Sequence, residues 1–476
     1  MYRRLLIAAA LAALPTLASG QSVQQLKNQP PDGAVITFQL TDGTVLAQGD
    51  NYSDFWVLTP DKTGSYVNGT WKQVGSLASE YAPYANASQV LADGRVLFEG
   101  GEYNFGNFAL TNLGAIYDPT SGTWTSVKPP KGWPNIGDSP SVVLPNGMFL
   151  MGDKLNKKMA ELDPATMAWT EVTSKGKNDF NAEEGWTLMP DGSIVTADVK
   201  DNPESENYIP SKGKWLNLGS TVVNLQGPGC CEGQCLQYPP KNKCYYPPGE
   251  IGPALLMPNG TVFATGATHS GQSTAHTSVY TPGSGWAAGP DFPNDDQAGD
   301  DFATLLTNGD ALVEGNSGEL YLFDGSTFVD ASENGEGSSL MILPTGQVLV
   351  GGFEVYNSSG SYQSSWQPTI SSYPSKVKAG STYQISGTQF NGLSQANSFG
   401  DELQTSTNYP LVQITNNKTK DVFYTRTHDH STMGVATGSA TVSTNFDVPS
   451  GIESGASSLV VIANGIPSAP VSITVK

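Results

Sequence analysis

Charge, cysteine and histidine are all scarce in this 476-residue chain, and each scarcity narrows the reading. Only 14% of residues are charged, and acids outnumber bases 44 to 24, for a formal net charge of −20. A surface of that sign repels phosphate backbones, so nucleic acid is not an expected partner. Acidity of this kind mostly serves solubility and gives only weak support for cation binding. Long apolar runs are missing as well. Leu5 to Leu17 is too short to span a bilayer, and nothing later reaches spanning length. No 3.6-residue apolar period appears, so helices are not expected. The glycine-rich phosphate cradle, the Gly-x-Ser-x-Gly elbow and the His-Glu-x-x-His zinc motif are all missing.

What is present begins with an export signal. Arg3 and Arg4 precede the apolar stretch, and Ala18-Ser19-Gly20 offers small residues for cleavage. Residues 1–20 read as a signal peptide, and a soluble, secreted, monomeric protein is expected from Gln21 onward. The four cysteines, Cys230, Cys231, Cys235 and Cys244, share one short stretch. In an oxidising compartment two disulfides are expected, with three pairings open. A zinc cluster is the alternative, but the Cys-Cys-x3-Cys-x8-Cys spacing is unusual for one.

The main signal is a repeat. Asp42-Gly43, Asp93-Gly94, Asn146-Gly147, Asp191-Gly192, Asn259-Gly260, Asn308-Gly309 and Thr345-Gly346 each stand between two short apolar runs. They recur at roughly 50-residue spacing, the period of a four-stranded propeller blade. Glycine in such a turn supplies the positive φ that a tight hairpin needs. Aromatic pairs recur further on, as in Tyr117 with Trp124, Tyr208 with Trp215 and Tyr280 with Trp286. These are read as packing between blades. The longest gap, before Asn259, holds a cysteine-containing insertion over 226–248. The fold expected is all-β: a seven-bladed β-propeller over 21–366, then an immunoglobulin-like β-sandwich over 367–476. The second part alternates apolar residues and lacks the aromatic turn motif.

This arrangement resembles the kelch-type galactose oxidase and glyoxal oxidase superfamily. The resemblance rests on blades such as Gly94-Arg95-Val96-Leu97-Phe98-Glu99-Gly100-Gly101. It rests equally on Arg426-Thr427-His428-Asp429-His430-Ser431 with Asn464-Gly465. Gly400-Asp401, Thr407-Asn408-Tyr409-Pro410 and Thr427-His428-Asp429-His430 resemble secreted kelch-repeat proteins more closely. It implies an early-set sandwich domain that sends a loop, with a histidine, toward the propeller channel. His428 or His430 is the matching position. It also implies a copper-radical site, but the cross-linking cysteine falls near Ile36 and the Tyr-His pair at Glu336-Gly337. Only Tyr84, one residue out of register, and Tyr103 match the remaining aromatic positions. Copper-radical oxidation is therefore not expected.

Blade geometry selects other candidates. Residues about seven positions before each turn should meet at the mouth opposite the turns. They are Asp138, Glu183 with Glu184, Glu250, Asp300 with Asp301, and Glu336. Of these, Glu183, Glu184, Glu250, Asp300 and Asp301 are candidate catalytic acids. Tyr52, Tyr84, Tyr103, Asp138 and Glu336 are candidate substrate-binding residues. Crowded carboxylates suit Ca²⁺ or another divalent metal. The alternative is that they latch backbone N–H groups of neighbouring blades. The four histidines, His269, His276, His428 and His430, are candidate metal ligands beside those acids, for Mn²⁺ or Cu²⁺ among others. Alternatively, His428 and His430 brace a domain interface. Three functions stay open: binding or processing of extracellular carbohydrate such as a cell-wall polysaccharide, a non-catalytic scaffold, or a metal-dependent oxidase without the radical.

Overall fold

The computed structural model describes residues 21–228, 234–238, 243–268, 274–334 and 339–476, with backbone alone at 332–334. Among these, seven antiparallel blade sheets follow one another along the chain, six of four strands and the sixth extended to five by Asn397–Ser398. Their innermost strands are Thr37–Gln39, Ala87–Val90, Ser141–Val143, Thr187–Leu188, Ala254–Leu256, Ala303–Leu305 and Leu340–Ile342. The second inner strand lies beside the third, the fourth to seventh lie side by side in turn, and the first touches the last, which closes the ring. The inner strands are buried along their whole length, whereas outer strands such as Thr70–Gln73 face water. Small and apolar residues fill the former for that reason.

All seven expected turns join the first and second strands of a blade. Each glycine has a positive φ, from 79° at Gly192 and Gly346 to 96° at Gly309. The residue before it locks the turn. Asp42 Oδ1 accepts the Thr44 N–H at 3.0 Å, and Asp93, Asn146, Asp191, Asn259 and Asn308 do the same two residues ahead. A short polar side chain that can fold back on its own backbone is what this position selects. The aromatic pairs sit opposite one another on third and fourth strands, with Tyr117 and Trp124 rings 5.3 Å apart and Tyr208 and Trp215 5.2 Å apart.

One feature was not anticipated. The seventh blade takes its outermost strand from the start of the chain: Ser22–Gln25 pairs antiparallel with Glu354–Asn357.

The C-terminal β-sandwich has its own core, including Ile385, Phe390, Val412, Ile414, Phe446 and Val461. Strand Val422–His428 crosses between its two layers, pairing first with Leu411–Asn416 and then with Val442–Asp447. The sandwich rests on the turn face of the ring. Arg426 Nη2 donates to Asp93 O at 2.9 Å, the Thr427 N–H to Thr41 O at 3.1 Å, and Thr432 Oγ1 to Pro145 O at 2.9 Å.

From there, residues 391–408 enter the channel of the ring. They are buried throughout, apart from half-buried Ser398. Their amide side chains and backbone satisfy groups on the inner strands. Gln395 Oε1 accepts the Leu188 N–H at 2.8 Å, and Asn397 Oδ1 accepts from Thr304 Oγ1 at 2.7 Å and from the Ile342 N–H at 3.1 Å. The Leu403 N–H donates to Asn86 O at 2.9 Å. The channel is thus filled by protein, and these bonds pair polar groups that a buried segment would otherwise leave bare.

The insertion contains a hairpin, Leu236–Tyr238 with Lys243–Tyr245, closed by a Cys235–Cys244 disulfide. Its ends are joined by a two-way backbone bridge between Gly227 and Glu250. Cys230 and Cys231 lie outside the described residues. No helix among those residues is long and apolar enough to cross a membrane.

Candidate functional site

Opposite the turns, four of the expected acids gather at the mouth. Asp138, Glu183, Glu250 and Asp300 each lead into an inner strand. Glu183 and Asp300 have φ of 60° and 55°, a left-handed backbone that costs a non-glycine residue about 1 kcal/mol or more. The tip of the channel segment brings a fifth and sixth, Asp401 and Glu402. At the centre is Lys154, fully buried just beyond strand Phe149–Gly152. Its Nζ donates to Asp138 Oδ2 and, at 2.6 Å, to Glu183 Oε1; Glu102 lies 3.7 Å away. Tyr245 covers this group from the insertion. Its hydroxyl donates to Glu183 Oε1 at 2.6 Å, and Lys154 Nζ is 4.9 Å from its ring centre. Leu110 and Ala182 pack against Tyr245 and Tyr238, which seats the hairpin at the mouth.

The electrostatics follow from crowding. One ammonium faces many carboxylates in a dry setting. Burial pushes Asp138 and Asp401 well above the usual carboxylate range, and Lys154 only partly offsets it. Burial also raises Glu250 strongly, with Glu183 and Asp300 adding repulsion. Glu183 is the exception. Burial works against its charge, but Lys154 and hydrogen bonds from Lys154, Tyr245 and Asp401 hold it below its ordinary value. Asp300 is raised to about 7, by desolvation first and then by Glu183 and Glu102. Its residue nevertheless keeps contact with solvent.

Two expected members are elsewhere. Glu184 points away from its neighbour into a second cage. There Lys177 Nζ binds Glu184 Oε1 at 2.7 Å, Glu206 Oε2 at 2.6 Å and Asp179 Oδ1 at 3.2 Å, with Trp215 beneath it. The left-handed turn at Glu183 sends the two side chains into different cages. Asp301 likewise turns from the mouth toward Glu314 and Asp296, whose charges add to burial in raising it.

The tyrosines form a row. Ring centres of Tyr52 and Tyr84 are 5.5 Å apart, Tyr84 and Tyr103 6.1 Å, Tyr103 and Phe108 6.0 Å, and Phe108 and Tyr245 6.4 Å. All but Tyr245 are half-buried. Next to Tyr245 opens a pocket of about 550 Å³, lined among others by Phe180, Tyr238, Tyr246, Asn202 and Gln226.

The histidines do not join the acids. His276 Nδ1 is 2.6 Å from Asp291. His428 lies in the sandwich between Asp429 and Asp447, at 2.8 and 3.2 Å. His430 hydrogen-bonds Thr444 and stacks on Tyr409, and burial lowers it to about 3. The two do not share a strand face, because the strand ends at His428 and Asp429 turns the chain with φ 52°. His269 and Glu336 lie outside the described residues.

Sequence reasoning missed Lys154, Lys177, Glu102, Tyr245, Asp401 and Glu402. Asp401 had a signal: Gly400-Asp401 already stood in the resemblance. The sandwich does reach the channel, but through 391–408 and with carboxylates at its tip.

No protein-family model and no curated protein matches the sequence. Solved structures do match. One is described as a novel fungal alcohol oxidase with catalytic diversity among the AA5 family, in complex with copper. It is 13% identical, with 97% of this chain and 100% of that chain covered and a TM-score of 0.51. Another, described as YjhT, is 12% identical over 69% of this chain and 95% of that one, with a TM-score of 0.35. The first likeness shows the fold, a β-propeller with a β-sandwich as in the galactose oxidase superfamily. The residues here do not fit a copper-radical centre. Copper(II) favours imidazole, whereas the described donors at the mouth are carboxylates around an ammonium, and the three described histidines are engaged elsewhere.

Proposed function

We propose that this protein is exported and binds extracellular carbohydrate, a polysaccharide rather than a single sugar, along the aromatic row that ends at the Tyr245 pocket. The row is the observation that carries this reading. Four half-buried rings, Tyr52, Tyr84, Tyr103 and Phe108, spaced 5.5 to 6.1 Å apart, form a succession of apolar surfaces suited to a chain of sugar rings. At its end the pocket adds the amides of Asn202 and Gln226 and the exposed ring of Tyr246. Amides and carboxylates serve sugar hydroxyls as donors and acceptors. The disulfide stiffens the hairpin that carries Tyr238, Tyr245 and Tyr246, so little ordering is left for binding. Export is supported by the apolar leader and by that disulfide.

The test is calorimetric titration with neutral cell-wall oligosaccharides of increasing length. Affinity should rise with length. Tyr246→Ala and Tyr84→Ala should each weaken binding about tenfold, equivalent to about 1.4 kcal/mol. Absence of binding across the panel, or binding untouched by both substitutions, would remove the carbohydrate reading.

A further inference from the structure

Two acidic cages occur among the described residues, and they differ in one respect. Around Lys177 the ammonium is central and touches three of the four carboxylates within 3.2 Å, so that cage holds its own cation. At the mouth Lys154 is spent on Asp138 Oδ2 and Glu183 Oε1 and forms no ion pair with Asp401 or Glu402. Asp138, Asp401 and Glu402 nevertheless bring one oxygen each to within 4.8 Å of one another. Two oxygens bound to one Ca²⁺ at about 2.4 Å can be at most about 4.8 Å apart, so the spacing suits a shared ion.

A second observation is independent of that spacing. Asp138 Oδ1 and Asp401 Oδ2 are buried without a hydrogen-bond partner, on residues only 3% and 1% exposed. A carboxylate oxygen left bare in the interior is costly and calls for a partner. Lys154 binds the other oxygen of Asp138, and the Asp401 carboxyl meets the Glu183 carboxylate, itself an acceptor.

We propose that Asp138, Asp401 and Glu402 form a binding site for a hard divalent cation, Ca²⁺ or Mn²⁺, with water completing its coordination. The ligands come from two places. Asp138 leads into the third blade, and Asp401 and Glu402 form the tip of the sandwich segment in the channel. The ion therefore pins that segment to the ring. The proposal stands apart from the carbohydrate reading, and its readout needs no sugar.

The experiment uses the full chain, stripped with EDTA and dialysed into metal-free buffer. Tb³⁺ is titrated in, its luminescence sensitised by tyrosine, and CaCl₂ or MnCl₂ then competes. One saturable equivalent, displaced by either cation, is expected, with a melting temperature several degrees higher at millimolar Ca²⁺. Glu402→Gln should weaken that equivalent at least tenfold, whereas Glu314→Gln, away from the site, should retain it. Absence of a saturable equivalent in the wild type, where no folding defect can intervene, overturns the proposal. So does full-affinity binding in Glu402→Gln.

Discussion

Glu314 offers a test of how this protein tolerates buried acid. It ends the second strand of the sixth blade, is 4% exposed, and leaves Oε2 without a partner. Burial alone raises it from its ordinary value of 4.5 to about 8. A shift of that size corresponds to about 5 kcal/mol between the two protonation states. The sign is that of an acid with a raised folded value. The folded state keeps the proton after the unfolded chain has lost it, so stability is fully present below about pH 4.5 and falls until about pH 8. Glu314→Gln keeps the shape and cannot ionise. It should match the wild type within about 1 kcal/mol at pH 5 and exceed it by several kcal/mol at pH 9. Urea unfolding at both values, with the slope checked for constancy, measures this. The variant should still decline with pH to a lesser extent, because Asp198 is raised to about 8 and Asp153 to about 6 by the same burial. Identical pH dependence in the two proteins would refute the reasoning, since Glu314 would then be ionised at no cost.

Other outcomes follow from the same geometry. Lys177→Met removes the ammonium shared by Glu184, Glu206 and Asp179, and should destabilise by about 3–5 kcal/mol in thermal or urea unfolding; adding Glu184→Gln should recover part of that, and an unchanged midpoint in the single variant would count against the cage. Gly185→Ala places a Cβ 2.1 Å from the Gly400 carbonyl oxygen. Overpacking of this kind costs about 1–3 kcal/mol, and limited proteolysis should then cut within 391–408, which the wild type protects.

The ring was legible because its turns are written in single residues. Glycine takes the positive φ of these turns most readily, and Asp or Asn reaches the N–H two positions ahead, so Asp42-Gly43 and its relatives locate six blades, with Thr345-Gly346 marking the seventh by its glycine. Strand register then placed Asp138, Glu183, Glu250 and Asp300 together. It failed at Glu184 and Asp301, where the neighbour in sequence is the opposite face in space. The closing strand Ser22–Gln25 escaped notice because an outer strand is short, polar and exposed. Lys154 and Lys177 carry no repeat signature, and their importance lies in burial, which sequence does not display. The histidines drew attention as metal ligands by chemistry alone, while Asp401 lay in plain view as one acid among many. A cysteine stretch read as a mere staple turned out to carry Tyr245, because a hairpin rooted at Gly227 and Glu250 rises beside the mouth.

The pairing of Ser22–Gln25 with Glu354–Asn357 sets an order on assembly. A circle fastened by its own first residues stays open until residue 357 has been synthesised. Up to then each completed blade exposes a flank to whatever lies nearby. The segment that fills the axle, residues 391–408, is synthesised later still. Trimming five residues past Gln21 would leave the last blade three-stranded, with a bare edge where the clasp had been.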